Sequence, residues 1–147
     1  MFEIKIDDKA VMSSLDRLAA TAHNMSPVMR VIAQELARQT EKNFAAEGRP
    51  KWLGIKPRKG REGGHILQDT GQLAASITTS HDAGSATVGS NKVYAAIHQL
   101  GGKTGRGHKV NMPARPFLPI DAQGQLQPEA EGNILGLVND YLSRIIG

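Results

Sequence analysis

Residues 88–120 read VGSNKVYAAIHQLGGKTGRGHKVNMPARPFLPI, and the rest of the chain is organised around them. The stretch opens on the end of a strand. Asn91 is then placed to cap a short helix through Tyr94, Ala95, Ala96, Ile97 and Leu100, which Gly101 and Gly102 stop. Residues 103–109 have the composition of a basic, glycine-rich loop, with Lys103, Arg106 and Lys109 at its tip. Val110 and Met112 flank Asn111 as a short strand. Pro113, Pro116 and Pro119 then force an extended path, because the residue before each proline disfavours helix. Phe117, Leu118 and Ile120 should bury. Nothing in the stretch supplies an obvious catalytic group.

Upstream, Phe2, Ile4 and Ile6 alternate with Glu3 and Lys5, the period of a short half-buried strand. Asp7 or Asp8 can cap the helix that follows, whose Val11, Leu15, Leu18 and Ala22 share one face. Ser26 and Pro27 suit a cap and a first helical position. They lead into a long amphipathic helix marked by Met29, Ile32, Ala33, Leu36, Ala37, Thr40 and Phe44, with Gly48 as its stop. Residues 48–66 break every period with two prolines, five glycines and six basic residues, the composition of a mobile functional loop. Trp52 within it either anchors the loop on the core or presents an interface aromatic among cations. Thr70 is a further cap, opening a short helix over residues 71–76 that turns Leu73 inward. A hairpin follows, with strands over 77–80 and 85–89 joined by a turn at Asp82.

Downstream, Pro128 opens a last helix, with Glu129 and Glu131 in the turn where a negative charge meets the positive end of the dipole. Ile134, Leu135, Val138, Tyr141, Leu142 and Ile145 form its apolar stripe, and Gly132 and Gly136 weaken it or allow close packing. The elements add up to a small antiparallel sheet packed against a long N-terminal helix and a C-terminal helix, with long basic loops. At 147 residues they make one domain.

Charge is polarised along the chain. Residues 48–116 hold eleven basic and three acidic side chains, a net of +8, while the two ends together carry −4. That map points to a positive working surface, or to complementary faces for association. With no cysteine, disulfides and thiolate metal sites are excluded. No secretory signal or stretch of membrane-spanning length is present, so the expected setting is the cytosol.

Chemical motifs fail on inspection. Gly102-Lys103-Thr104 invites a phosphate-loop reading, but the first glycine of that motif would be Ile97. Gly105 and Gly107 would need a third glycine where Val110 stands. The five histidines have no helical ligand spacing, so neither a metal nor another cofactor is expected. No nucleophile elbow exists. Nucleic-acid binding through the basic middle segment is the alternative function, weakened by the scarcity of aromatics for stacking bases.

Several features recur in one order. They are Gly48-Arg-Pro-Lys51-Trp52, then Asp69-Thr70-Gly71 with Leu73, Ser76 and Ile77, then Val88-Gly-Ser-Asn91. Tyr94-Ala-Ala-Ile-His98-Gln99 with Gly101-Gly102 follows, and then Met112-Pro113-Ala-Arg115-Pro116-Phe117-Leu118. In these the chain resembles the phage virion morphogenesis family, the tail-completion proteins of Mu-like and related contractile-tailed phages and prophages. The resemblance implies an α+β fold and a non-enzymatic structural role at the head–tail junction or tail end. It also implies self-association, plausible as a ring, and contacts with head-neck or tail-tube proteins, with no membrane and only incidental nucleic acid. Lys51, Trp52, Arg58, Lys103, Arg106 and Lys109 are the partner-facing candidates. Thr70, Gly71, Leu73, Tyr94, His98, Gly101, Gly102, Pro113, Arg115, Pro116 and Phe117 are the motif positions that hold the frame.

Overall fold

The computed structural model describes residues 8–53, 72–92, 94–121 and 123–146. The strand expected over Phe2, Ile4 and Ile6, the candidate Arg58, and the cap and glycine at Thr70 and Gly71 lie outside the described residues.

Helix α1, Lys9–Thr21, starts where Asp8 Oδ1 accepts the Val11 amide at 3.2 Å, and it buries Val11, Ser14 and Leu18. Helix α2, Ser26–Ala45, begins one residue earlier than its sequence suggests. Ser26 is already helical, Met25 holds the cap position with no side-chain cap bond, and the Ser26 amide donates to Asn24 Oδ1 at 3.0 Å in an Asx turn ahead of the helix. The chain leaves α2 through Glu47 and Gly48, both at positive φ. A Cβ at Gly48 would lie 2.5 Å from Trp52 Cδ1, so only glycine lets the turn close over the indole.

After α3, Gln72–Ala75, strands β1, Ile77–His81, and β2, Ala86–Ser90, pair antiparallel from Ile77↔Ser90 to His81↔Ala86. Asp82 Oδ1 holds their turn by accepting the Gly84 amide at 2.8 Å and the Ser85 hydroxyl at 3.0 Å. Helix α4 spans Ala95–Leu100. Asn91 does not cap it: Tyr94 holds the cap position with no side-chain bond, and the Ala95 amide donates to Lys92 O at 3.1 Å. Ser90, whose hydroxyl accepts the Lys92 amide at 3.1 Å, shapes that turn instead. Residues 103–109, read as a loop, belong to a second hairpin. In it β3, Gly102–Thr104, pairs antiparallel with β4, Val110–Met112, around a 3₁₀ turn at Arg106–His108. Helix α5, Pro128–Ile146, ends the fold with Glu129 and Glu131 in its first turn.

Helix α2 is the hub. It packs against the β1–β2 hairpin and against α5, and α5 also carries α1. The class is α+β as expected, with its strands in two separate antiparallel pairs among the described residues. Leu18, Phe117, Leu118, Ile134 and Val138 are fully buried. Half of the six aromatic residues form one column: Trp52 meets Phe44 edge-on at 6.0 Å, and Phe44 stacks on Phe117 at 5.5 Å. Such pairs add about 0.5–1.5 kcal/mol beyond area burial. Gly132 and Gly136 are not close-packing positions, since a Cβ at either would meet nothing within 4 Å. No helix among the described residues is long and apolar enough to cross a membrane.

Candidate functional site

Residues 115–117 belong to no helix or strand, the chain bends at Leu118 and Pro119, and Ile120 forms an isolated bridge to Leu126, so the extended path expected through the prolines does not reach residue 120. Buried backbone groups left without bonds would each cost about 1–3 kcal/mol, and here side chains take the place of a sheet. Arg115 N donates to His98 O at 2.7 Å, and Trp52 Nε1 donates to Pro116 O at 3.1 Å. Gln99 Oε1 accepts the amides of Phe117 at 3.0 Å and Leu118 at 2.9 Å, while its Nε2 donates to Ile120 O at 2.9 Å. Asn43 Nδ2 donates to Phe117 O at 2.9 Å, and Gln127 N to Pro119 O at 2.9 Å. The segment is thereby fixed to α2, to α4, to the turn after α2 and to the approach to α5.

A second polar system joins α2 to α5. Glu35, Gln39 and Asn43 recur every four residues on α2, so they form one row along the helix, and all three are buried. Arg49 plugs into this row. Its Nε donates to Asn43 Oδ1 at 2.8 Å, its Nη2 to Gln39 Oε1 at 2.6 Å, and its Nη1 to Glu129 on α5. Lys42 Nζ reaches the other oxygen of Glu129 at 2.9 Å. The bonds from Lys42 and then Arg49 hold the Glu129 carboxyl below the usual range. Burial alone would raise the pKa of Glu35, but hydrogen bonds from Arg38, Asn133 and Gln39 outweigh it and lower it.

His98 sits with its ring edge-on to Tyr94 at 5.8 Å. Desolvation, followed by the nearby Arg115 charge, pushes its pKa below the ordinary 6.5. Its Nδ1 is buried with no hydrogen-bond partner among the described residues, so the neutral ring is the form the site favours.

The positions expected to frame the site divide cleanly. Leu73, Arg115 and Phe117 are buried, Tyr94 and Pro113 are half-buried, and Pro116 is exposed with its carbonyl bonded. Gly101 and Gly102 both take positive φ between α4 and β3. Arg115 Nε donates to Leu53 O at 3.0 Å. Of the partner-facing candidates, Lys103, Arg106 and Lys109 are exposed together on the β3–β4 hairpin. Lys51 is exposed as well, but its Nζ donates to Ala46 O at the end of α2, at 2.8 Å. Trp52 is turned inward and only 8% exposed, in the anchoring position. Gln39, Asn43 and Gln127 were not singled out by the sequence, and Arg49 stood there only as part of the Gly48–Trp52 motif. The available signal was the four-residue spacing of polar side chains beside the apolar stripe of α2.

What this arrangement can do is hold shape. An apolar groove of about 400 Å³ between α1, α2 and β2, bordered by Met12, Leu15, Ile32, Val88 and Leu118, has no ionisable side chain among its described lining residues. No cluster of three or more metal-ligating side chains occurs among the described residues. The fold is a cross-braced scaffold that carries a basic hairpin. The chain belongs to the phage virion morphogenesis family, whose model matches residues 6–143. It is 45% identical to Mu-like prophage FluMu G protein 2 of Haemophilus influenzae over 99% of both chains. It is 32% identical to protein G of Escherichia phage Mu, whose name refers to capsid assembly, over 83% of this chain and 85% of that one. FluMu G protein 1 of the same Haemophilus strain is 30% identical over 83% of this chain and 86% of its own length. No solved structure matches it.

Proposed function

We propose that this chain is a non-enzymatic structural component that completes the tail, or joins head and tail, through protein–protein contacts. The family describes virion morphogenesis, and the observation that carries the finer reading is the bracing of residues 115–120. Seven hydrogen bonds to its backbone and two prolines hold that segment in one conformation, which limits the ordering entropy lost when its surroundings dock on a partner. In this reading the chain acts in the host cytoplasm during assembly, contacts further copies of itself in a ring, and meets head-neck or tail-tube proteins. Deleting the gene from the particle that encodes it is expected to leave separate heads and tails, or unstable tails, in electron micrographs. Normal infectious particles from the deletion would overturn the reading.

A further inference from the structure

Resting on that assembly role, we propose that the β3–β4 hairpin is a docking element whose partner is an acidic protein face on another virion component. No residue described in Gly102–Met112 is buried. Its strands are three residues each, roughly 10 Å long, and a two-stranded hairpin with no buried face is marginal by itself. Among the described residues, the outward edge of each strand is unpaired, leaving backbone groups open to an incoming strand.

The chemistry of the partner follows from the side chains. Lys103, Arg106 and Lys109 form no ion pair among the described residues, and no Asp or Glu occurs from residue 101 to 116. Val110, 52% exposed, pairs with Thr104, the neighbouring pair Lys103 and Asn111 shares the opposite face, and Leu100, 46% exposed, lies at the hairpin base. Exposed aliphatic side chains on an element whose charged residues are all cationic match a protein interface with an acidic rim. The hairpin fits nucleic acid less well. It has no Phe, Tyr or Trp on which a base could stack, and three cations neutralise few phosphates. Its base is also fixed: a Cβ at Gly101 would lie 2.7 Å from Ala114 N, so the backbone there is tightly apposed to the braced segment.

The test uses the full-length chain in cells that assemble its particle. A photo-crosslinking residue replaces Asn111, and a separate variant carries Lys103→Glu, Arg106→Glu and Lys109→Glu. The triple variant is expected to melt as the parent does while particle yield falls at least tenfold. Crosslinks from position 111 are expected on an Asp/Glu-rich stretch of one other virion protein. Changing those acids to lysine should restore yield with the reversed hairpin. Undiminished yield, crosslinks only to DNA or to a second copy, or failure of the charge exchange to rescue would each overturn the proposal. If the triple variant melts lower, Lys109→Glu alone, read in the same way, decides. Normal assembly by these variants where the gene deletion abolishes it removes the docking surface and leaves the assembly role standing. Normal particles from the deletion remove both.

Discussion

Gln99 shows how much of this molecule depends on one amide. Its two polar atoms serve three buried backbone groups, the amides of Phe117 and Leu118 and the carbonyl of Ile120. Replacing it by leucine keeps the volume and orphans all three. The expected loss is about 3 kcal/mol or more, since each unsatisfied buried group costs about 1–3 kcal/mol. Urea denaturation of Gln99→Leu measures it, and parental stability would mean that the segment finds other partners. Glutamine on a short helix reads as a solvent-facing residue, so neither its burial nor its role was legible. Phe117 was legible, because prolines on both sides and an apolar neighbour mark a residue held inward. Its full burial against Phe44 sets the expected cost of Phe117→Ala at about 3–5 kcal/mol, read from the same denaturation curves.

At the level of elements, helices were easier to read than strands. The spacing of apolar residues in α1, α2 and α5 reports which face is buried, and a helix satisfies its own backbone locally. The strand β4 was legible from Val110 and Met112 on either side of Asn111, but its partner β3, Gly102–Thr104, carries no apolar alternation to mark it. The Gly/Lys/Arg composition of residues 103–109 therefore suggested a loop where a hairpin exists. The start of α4 was misplaced for a related reason: Ser90 and Lys92 fix the turn that Asn91 was expected to cap. Gly101, in contrast, marked the end of α4 correctly, and its φ of 71° explains why glycine stands there. Gly101→Ala forces a Cβ into the backbone at Ala114, at a strained φ, for an expected loss of about 1–3 kcal/mol. Hydrogen exchange should show faster opening of the β3–β4 amides than of the β1–β2 pair. Equal protection in variant and parent would show that the hairpin does not depend on that contact.

Across the whole molecule, pH should act in separable windows. Well above pH 6.5 His98 is neutral whether folded or not. As pH falls through 6.5, the unfolded chain takes up a proton that the native site resists, so stability falls until the lower native value is passed. His98→Gln should flatten that limb. Nearer pH 4.5 the carboxylates divide. The hydrogen bond and charge of Asp8 raise the pKa of Glu131, so its protonation favours the folded state just above 4.5. Glu35 and Glu129 have lowered values, and their contribution is lost as pH falls through them. Melting temperature across pH 4–8, for the parent and His98→Gln, checks the order. Identical slopes near pH 6 would remove His98 from the account.

The sequence by itself determined the helices, the first hairpin, the strand at Val110–Met112, the inward Phe117 and Leu118 of the proline-bound segment and the charge asymmetry. These follow from periodicity, from fixed proline torsions and from composition, all local properties. Its ordered short motifs also carried the family. Only the tertiary structure decided that Trp52 faces inward, that Glu35, Gln39, Asn43 and Arg49 join α2 to α5, and that Gln99 stands in for a missing strand. A polar side chain carries no local mark of its partner: whether it meets water or a buried carbonyl depends on which distant backbone the fold brings to it.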